Sequence, residues 1–295
     1  MIRLLALVGV LGISFSAIFV RLSGTSPSTA AVYRMVYAIP PLIALWWPVR
    51  HRDDRSRRER MMGVVAGFAL AVDLALWHRA ILYIGAGLAT VLANTQVVFV
   101  ALLAWLLHRE RPSGTALTMI PVVFGGVALI SGLGRSGAYG SDPLLGVLFG
   151  TAAGLSYTSF LLVFRASNRR LAPAVAPLLD ASIGALVGSL ILAVFDPHFT
   201  LVWSWPAHGW LIALALVAQV FGWILISSAL PRLPALDTSV MLLLQPMATV
   251  IWGLLIFGES LSGWQWSGVG LVLAGVAVIS LRGTMHQPDS QVTTG

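Results

Sequence analysis

Apolar residues in this chain are gathered into ten long runs, separated by short segments rich in Arg, Gly, Pro and other turn-forming residues. The runs cover about residues 4–22, 28–49, 61–82, 86–107, 115–132, 144–164, 173–195, 209–230, 235–257 and 264–281. A helix of roughly 20 apolar residues is long enough to cross a bilayer. The pattern therefore predicts an all-α membrane protein with ten transmembrane helices, here called spans 1 to 10.

The second half of the chain repeats the first. A shift of 149 positions places residues 80–131 on residues 229–280 without a gap, and 14 of those 52 positions are identical, Glu110 and Glu259 among them. Each copy holds five spans, which is an odd number, so the copies enter the membrane from opposite faces. Inverted repeats of this kind are common in secondary transporters. We therefore predict two inverted five-helix repeats.

The breaks between runs divide the chain into four predicted segments. The first repeat occupies residues 1–133, a connecting loop residues 134–143, and the second repeat residues 144–282. The loop is a polar and Gly-rich stretch between spans 5 and 6. Residues 283–295 are polar throughout, and we expect a disordered cytoplasmic tail there.

Basic residues give the expected orientation. All 18 are Arg, and 14 of them flank the spans on the side of the N-terminus. Arg21 and Arg135 lie on the opposite side, whereas Arg34 and Arg79 fall inside spans. By the positive-inside rule, both termini face the cytoplasm, and we expect a multi-pass protein of a bacterial inner membrane. The pI near 11.0 then reflects topology, so no nucleic-acid partner is expected.

Composition argues against several other classes of function. Only 10% of the residues are charged and 58% are hydrophobic, whereas soluble domains average about 25% charged residues. The sequence contains no Cys and no nucleotide-binding or hydrolase motif. We expect a monomer in the lipid bilayer that is not an enzyme and that carries no metal or other cofactor.

Ionisable residues inside the spans are the first candidates for function, because a charge in hydrocarbon is costly unless it faces a cavity or a partner. Span 3 carries Asp73 and Trp77 on one helix face, with His78 about a quarter turn away. Asp73 either lines a substrate path or forms a buried pair with Arg34 or Arg79. His78 either lines the path or bonds a helix carbonyl as a neutral imidazole.

Arg34 in span 2 and Asp180 in span 7 occupy matching places in the two copies when Pro27 is aligned with Pro173. In inverted repeats such residues lie towards opposite faces, with Arg34 nearer the outside and Asp180 nearer the cytoplasm. One interpretation is that they gate the two ends of one path. The other is that each forms a local pair that stabilises its own repeat.

Uncharged polar side chains mark three further spans. Asn94 and Gln96 lie on adjoining faces of span 4, and Gln245 and Thr249 belong to one polar stripe of span 9. Tyr157 of span 6 is expected to point into the same space. Both substrate contact and interhelical hydrogen bonding stay open for Asn94 and Gln245, because Asn and Gln commonly join membrane helices.

Two acidic residues follow spans in corresponding places. Glu110 follows span 4 and Glu259 follows span 9, each shortly before a Ser-Gly pair and the next span. A carboxylate there can accept hydrogen bonds from the free amide groups in the first turn of that next helix. We therefore predict structural roles for both residues.

The end of the second copy resembles the repeat of the EamA family, in the drug/metabolite transporter superfamily. The residues that carry the resemblance are Gln245-Pro246, Gly258-Glu259-Ser260-Leu261, Gln265, and the glycines from Gly268 to Gly275. The first copy matches more loosely, with Gln96-Val97 in place of the Gln-Pro pair but with Glu110-Arg111-Pro112 retained. The resemblance covers nearly the whole chain and implies a ten-helix transporter.

The resemblance also bears on the cargo, although the superfamily moves amino acids, drugs, sugars and nucleotide sugars. Trp77-His78, Asn94 and Tyr157 look most like those of the YddG-type exporters of aromatic amino acids. We therefore expect an inner-membrane exporter of neutral and aromatic amino acids, broad in specificity, that works by alternating access. The alternatives are an exporter of drugs or other small amphipathic metabolites, a passive channel, and a lipid-modifying membrane enzyme.

The expected cavity lies between the copies and is walled by spans 1, 3, 4, 6, 8 and 9. His78 and Asn94 are expected to bond the head group of the amino acid, and Trp77 and Tyr157 to contact its side chain. Gln245 is expected to face the ammonium group, beside a backbone carbonyl freed by the proline that follows it.

Overall fold

The computed structural model describes residues 2–108, 114–132, 137–168, 172–229, 232–233 and 235–284. Within these ranges the chain forms helices and turns, with no β-strand. The helices are α1 Ile2–Ser14, α2 Ser16–Ser23, α3 Pro27–Trp46, α4 Arg57–Ala93, α5 Gln96–His108, α6 Gly114–Ile130, α7 Pro143–Ser167, α8 Val175–Ala193, α9 Ala207–Ala213, α10 Trp223–Ala229, α11 Ala235–Phe257 and α12 Gly263–Thr284. A π-helical segment, Leu214–Gly222, joins α9 to α10.

Eight helical stretches in the described part of the chain are long and apolar enough to cross a membrane, and the shorter apolar helix α6 accompanies them. The chain is therefore a helical, multi-pass membrane protein. Predicted spans 3 and 4 differ from expectation in their boundary, because α4 contains span 3 and the beginning of span 4. The predicted structural residue Glu110 and the predicted tail from residue 285 lie outside the described ranges.

The backbone of α4 leaves the helical conformation at Gly85, where φ is 81° and ψ is 173°. Glycine adopts a positive φ without the steric penalty that a side chain brings. Before this point, α4 and α7 run in opposite directions. The hydroxyl of Ser156 donates to the carbonyl of Ala69, and farther along α4 the ring of Tyr83 stacks on Phe149, nearer the start of α7.

After Gly85, the chain runs in the same direction as α7. Leu92 lies against Gly150, and Thr95 lies against Gly154 one turn farther along both helices. Because α7 is one continuous helix, the chain must reverse at Gly85. The two parts of α4 are therefore antiparallel neighbours joined by a very tight turn, which explains why the turn has almost no polar signal in the sequence.

Two of the predicted spans are interrupted in mid-helix. The first breaks between α1 and α2, where the hydroxyl of Ser14 donates to the carbonyl of Leu11 at 2.7 Å. The fourth breaks between α4 and α5, where Thr95 Oγ1 donates to the carbonyl of Leu92 at 2.6 Å. Short hydroxyl side chains compete in this way for backbone groups that a continuous helix would use.

Glycines bring α4 and α8 into backbone contact. Gly67 of α4 lies against the backbone of Ala181, and Gly184 of α8 lies against the backbone of Val64. Small residues permit such close approach between membrane helices, where packing is the main source of association.

Glycines also join α6 to α12, and here the contact is made twice. Gly126 of α6 lies against Gly268 of α12, and Gly275 of α12 lies against Met119 of α6. The 149-residue shift aligns Gly126 with Gly275 and Met119 with Gly268. The two contacts are therefore equivalent positions of the two copies. Residue numbers rise along one helix as they fall along the other, which means that the two helices pack antiparallel.

Candidate functional site: a cavity inside the bundle

A cavity of about 340 Å³ lies in the middle of the bundle. Its wall is mostly apolar with a few convergent polar side chains, the usual composition of a small-molecule site. Six residues that the sequence predicts for such a site line it: Asp73, Trp77, Asn94, Gln96, Tyr157 and Gln245. The tertiary structure therefore brings together side chains from α4, α5, α7 and α11.

Arg34 also lines this cavity. Its side chain is buried, with Nε donating to Gln219 Oε1 at 2.8 Å and Nη1 donating to Ser16 Oγ at 3.1 Å. Gln219 is itself held by Ser182, to whose hydroxyl its Nε2 donates at 3.3 Å. From the sequence, Arg34 is either a gate near one end of the path or part of a local pair, and the structure places it in the wall of the cavity.

Asp73 lies in the same wall and is buried. It makes neither a hydrogen bond nor a salt bridge with any residue that the structure describes. Of the two alternatives left open by the sequence, the direct pair with Arg34 or Arg79 is therefore not formed. Asp73 and Arg34 nevertheless line the same cavity. The cavity thus holds one acidic and one basic side chain near each other but not in contact.

Several uncharged polar groups in the cavity wall also lack partners among the described residues. The Trp77 Nε1 donor and the Gln96 Oε1 acceptor are buried without a hydrogen bond. Asn94 uses its Nδ2 on the carbonyl of Thr90 at 2.8 Å, which leaves its oxygen available. Buried polar groups without a partner are uncommon and costly, so these atoms are suited to bind a cargo.

Two predicted lining residues lie elsewhere. His78 is buried beside the cavity lining, with its Nδ1 3.0 Å from the carbonyl oxygen of Pro27 in α3, and this arrangement matches the alternative in which the imidazole bonds a helix carbonyl. Thr249 Oγ1 lies 2.9 and 3.0 Å from the carbonyl oxygens of Ser14 and Gln245, which share its single hydroxyl proton. Both side chains connect helices rather than facing the cavity.

Asp180, the second suggested gate, belongs to a polar cluster at the start of α4. Its Oδ2 accepts from Arg55 Nη2 at 2.8 Å, and Arg55 also contacts both carboxylate oxygens of Asp53, at 2.8 and 3.1 Å. Arg60 adds a hydrogen bond to the carbonyl of Asp53 at 3.1 Å. The local pair, the alternative considered from sequence, describes Asp180 better than a gate does.

This cluster predicts a pH dependence of stability. Burial raises the pKa of Asp53, but the hydrogen bonds and charge of Arg55, together with the charge of Arg60, outweigh it and hold that pKa below 3.8. A carboxylate with a lowered pKa in the folded state stabilises the protein above its unfolded pKa, and this contribution is lost as pH falls through the folded value. We expect Asp53→Asn to lower the melting temperature at pH 7.

The melting-temperature gap between Asp53→Asn and the unmodified protein should narrow as pH falls below about 4. Thermal unfolding of the purified protein in detergent, recorded from pH 7 to pH 3, measures this gap. Asp54→Asn is the control, since Asp54 is exposed. A gap that stays constant over the whole range would contradict the assignment of Asp53.

A buried carboxylate, that of Glu259, lies at the end of the bundle near Gly85. Glu259 accepts hydrogen bonds from the backbone amides of Ala86 and Gly87, at 2.7 and 3.1 Å, and it pairs with Arg21 of α2. These amides begin the part of α4 that follows the reversal. The prediction that Glu259 caps the next helix, α12, was therefore wrong. Its carboxylate caps the later part of α4, which belongs to the other copy.

The first turn of α12 is capped by other residues. Ser262 Oγ accepts from the backbone amide of Gln265 at 3.3 Å, and Gln265 Oε1 accepts from the amide of Ser262 at 3.0 Å. This reciprocal pair is a capping box. Because it already satisfies the start of α12, the carboxylate of Glu259 is left to serve another helix.

An aromatic stack lies between the cavity and Glu259. Phe15 stacks on Trp252 with ring centroids 4.8 Å apart, and Phe19 continues the stack to Trp210. Trp252 Nε1 donates to the hydroxyl of Ser14 at 3.0 Å, at the break between α1 and α2. The cavity is therefore separated from the Glu259 end by packed rings.

Sequence reasoning missed several residues of the site. Ser16, Trp223 and Ser227 line the cavity, and Gln219 orients Arg34. Gln219 had a usable signal, because it is the one amide side chain in the apolar run of span 8. The π-helical segment that contains it had none, since π-helices have no reliable sequence pattern although they are frequent at functional sites.

Comparison with known proteins identifies related sequences over nearly the whole chain. The sequence model of a family described as the EamA-like transporter family matches residues 1–132 and 144–281. An uncharacterized transporter of Archaeoglobus fulgidus is 25% identical over 91% of this chain and 94% of its own length. An uncharacterized transporter of Synechocystis is 28% identical over 72% of this chain, which spans 64% of that relative's length.

One further relative and one solved structure extend the comparison. An uncharacterized transporter of Bacillus subtilis is 24% identical over 73% of this chain and 72% of its own length. A crystal structure aligns with a TM-score of 0.63 over 95% of this chain and 98% of the other, at 15% sequence identity. This last likeness is one of fold.

Proposed function

The chain belongs to the EamA-like transporter family, and we propose that it exports neutral and aromatic amino acids across a bacterial inner membrane by alternating access. The observation that carries the proposal is the cavity, in which Arg34, Asp73 and Tyr157 stand beside an apolar wall. Charged residues inside a membrane typically face a partner or a substrate path. An amino acid with an apolar side chain combines the two chemistries that this wall offers.

We propose ten transmembrane spans arranged as two inverted repeats, over residues 1–133 and 144–282, with residues 134–143 connecting them. Three observations support this topology. The chain reverses at Gly85, which divides spans 3 and 4, and the equivalent helices α6 and α12 pack antiparallel. Arg residues concentrate on one side of the predicted spans, which favours cytoplasmic termini.

In this orientation the cavity would face the cytoplasm. Its lining reaches Leu161, Ser227 and Leu242, all away from the Glu259 end of their helices. At the other end, the ion pair of Glu259 and the aromatic stack of Phe15 and Trp252 form a closed layer. Release of cargo to the outside would require this layer to open. We propose that a single copy of the chain performs this cycle in the bilayer, with no cofactor.

Transport by reconstituted protein tests the proposal. We expect proteoliposomes to take up labelled phenylalanine or methionine saturably, and to show counterflow when preloaded with unlabelled amino acid, which a passive channel does not. Asn94→Ala should reduce the rate at normal protein abundance, because it removes a cavity side chain. Uptake equal to that of empty vesicles, across a panel of neutral and aromatic amino acids, would refute the amino-acid assignment.

Export of cationic, lipophilic drugs is the second candidate, and Asp73 is the observation that favours it. A cavity-lining carboxylate without a hydrogen bond suits an organic cation. The presence of Arg34 in the same wall opposes this reading, because it repels a cation. Adding lipophilic amines to the transport panel distinguishes the two candidates.

A further inference from the structure

We propose that the cavity recognises its cargo as a zwitterion, with Arg34 binding the carboxylate and Asp73 binding the ammonium group. This inference rests on the proposed function and assigns the residues that determine specificity. It also gives Arg34 a role in binding the cargo, which differs from the gating role suggested by its place in the repeat.

The guanidinium of Arg34 is positioned to receive a carboxylate. Its two protein acceptors, the Gln219 amide and the Ser16 hydroxyl, are uncharged, so they orient the group without neutralising it. A guanidinium has five N–H donors, and only two are used. Nη2 makes no hydrogen bond with the described residues, and the remaining donors match the two oxygens of a carboxylate.

Asp73 supplies the opposite charge in the same wall. Its carboxylate has no hydrogen-bond donor among the residues that the structure describes. A direct salt bridge with Arg34 would satisfy both groups, but their nitrogen and oxygen atoms lie more than 4.0 Å apart. Two buried charges left in this way are costly unless something completes their coordination. A molecule carrying both charges would complete both at once.

The unpartnered uncharged groups fit the same pattern. Trp77, one helical turn after Asp73, has a buried N–H donor, and Gln96 has a buried carbonyl acceptor; neither has a partner in the part of the chain that the structure describes. A carboxylate accepts from an indole N–H, and an ammonium donates to an amide oxygen. The cavity thus offers one charged and one neutral group to each end of a zwitterion.

The rest of the wall fits an apolar substituent. Leu74, Leu161, Trp223 and Leu242 line the cavity, and the Tyr157 ring packs against Trp223 with centroids 6.5 Å apart. Selection then depends mainly on the charges. An amine without a carboxylate leaves Arg34 unpaired, and an acid without an amine leaves Asp73 unpaired. A site built to pair polar groups discriminates strongly against ligands that lack them.

Three probes that share a phenyl ring test this assignment: L-phenylalanine, phenethylamine and 3-phenylpropionate. Binding to the purified, detergent-solubilised protein is measured separately from transport in proteoliposomes. We expect the unmodified protein to prefer phenylalanine. Arg34→Gln should weaken phenylalanine binding by about tenfold or more while weakening phenethylamine less or improving it. Asp73→Asn should weaken phenylalanine similarly while sparing 3-phenylpropionate.

Arg79→Gln is the matched control, since Arg79 lies on the same helix but not in the cavity wall, and it should leave all three affinities unchanged. Arg34→Lys and Asp73→Glu, which keep the charges, provide folded comparators if a neutral variant is not monodisperse. Equal weakening of all three probes by both charge-removing variants would overturn the assignment and indicate a structural pair.

The two measurements separate this inference from the proposed function. Binding of phenylalanine with the expected reciprocal pattern, but without transport, would refute the transport proposal and leave the recognition site standing. Transport of phenylalanine without the reciprocal pattern would refute the recognition site and leave the transport proposal standing. Absence of both binding and transport for the zwitterion would refute both.

Discussion

Replacing Glu259 by Ala is expected to cost about 3–5 kcal/mol of folding free energy, which is typical when one partner of a buried ion pair is removed. The carboxylate is buried and connects three parts of the chain, namely Arg21, the amides of Ala86 and Gly87, and its own loop after α11. Its loss leaves two helix-terminal amides without an acceptor. Thermal unfolding in detergent should therefore show a large fall in melting temperature.

Two comparisons make this expectation specific. Arg21→Gln should destabilise the protein less than Glu259→Ala, because Arg21 is 31% exposed and the amides of Ala86 and Gly87 still bind the carboxylate. Glu59→Ala is the matched control, since Glu59 completes an exposed capping box with Ser56 and its loss should cost about 1 kcal/mol. A Glu259→Ala protein as stable as Glu59→Ala would contradict the role of Glu259.

Replacing Gly67 by Val is expected to prevent the close contact of α4 and α8. A Cβ at this position would overlap the backbone of Ala181, which cannot move aside as a flexible side chain can. Overpacking of a well-packed contact costs about 1–3 kcal/mol and occasionally more. We expect little monodisperse protein after purification, and a melting temperature well below that of the unmodified protein for the fraction that folds.

Gly125→Val is the matched control for this prediction. Gly125 is a helical glycine of α6 that is exposed, and a Cβ there meets no atom within 4 Å. The same substitution should therefore cause no overlap, and because Val is a slightly better helix former than Gly, it should change the stability by well under 1 kcal/mol. If Gly67→Val and Gly125→Val purify and unfold alike, backbone contact between α4 and α8 is not important for stability.

Parts of the site could be predicted because helix geometry is local. Asp73 and Trp77 are four residues apart, so one turn of helix places them on the same face, and both line the cavity. The same reasoning placed Asn94, Gln96 and Gln245 on it. What the spacing does not fix is the direction of that face in the bundle. His78 follows Trp77 directly, yet it bonds Pro27 of α3 instead of lining the cavity.

Contacts between distant segments could not be predicted in the same way. The carboxylate of Glu259 lies near the starts of two helices. It caps the one that is 173 residues away in sequence, because Ser262 and Gln265 already cap the one that follows it directly. Arg34 was assigned by its place in the repeat, which gives its depth along a helix but not its neighbours. Its acceptor Gln219 lies 185 residues away.

By itself, the sequence determined that this chain is a helical membrane protein, where most of its helices begin and end, and that its halves are copies. These properties follow from apolar run length, from turn residues and from identity at a fixed spacing, all of which are local or one-dimensional. Only the tertiary structure decided that Arg34 and Asp73 share a cavity without touching, and that Glu259 caps a helix of the other copy. Those arrangements depend on how side chains from separate helices pack, and no spacing along the chain encodes that packing.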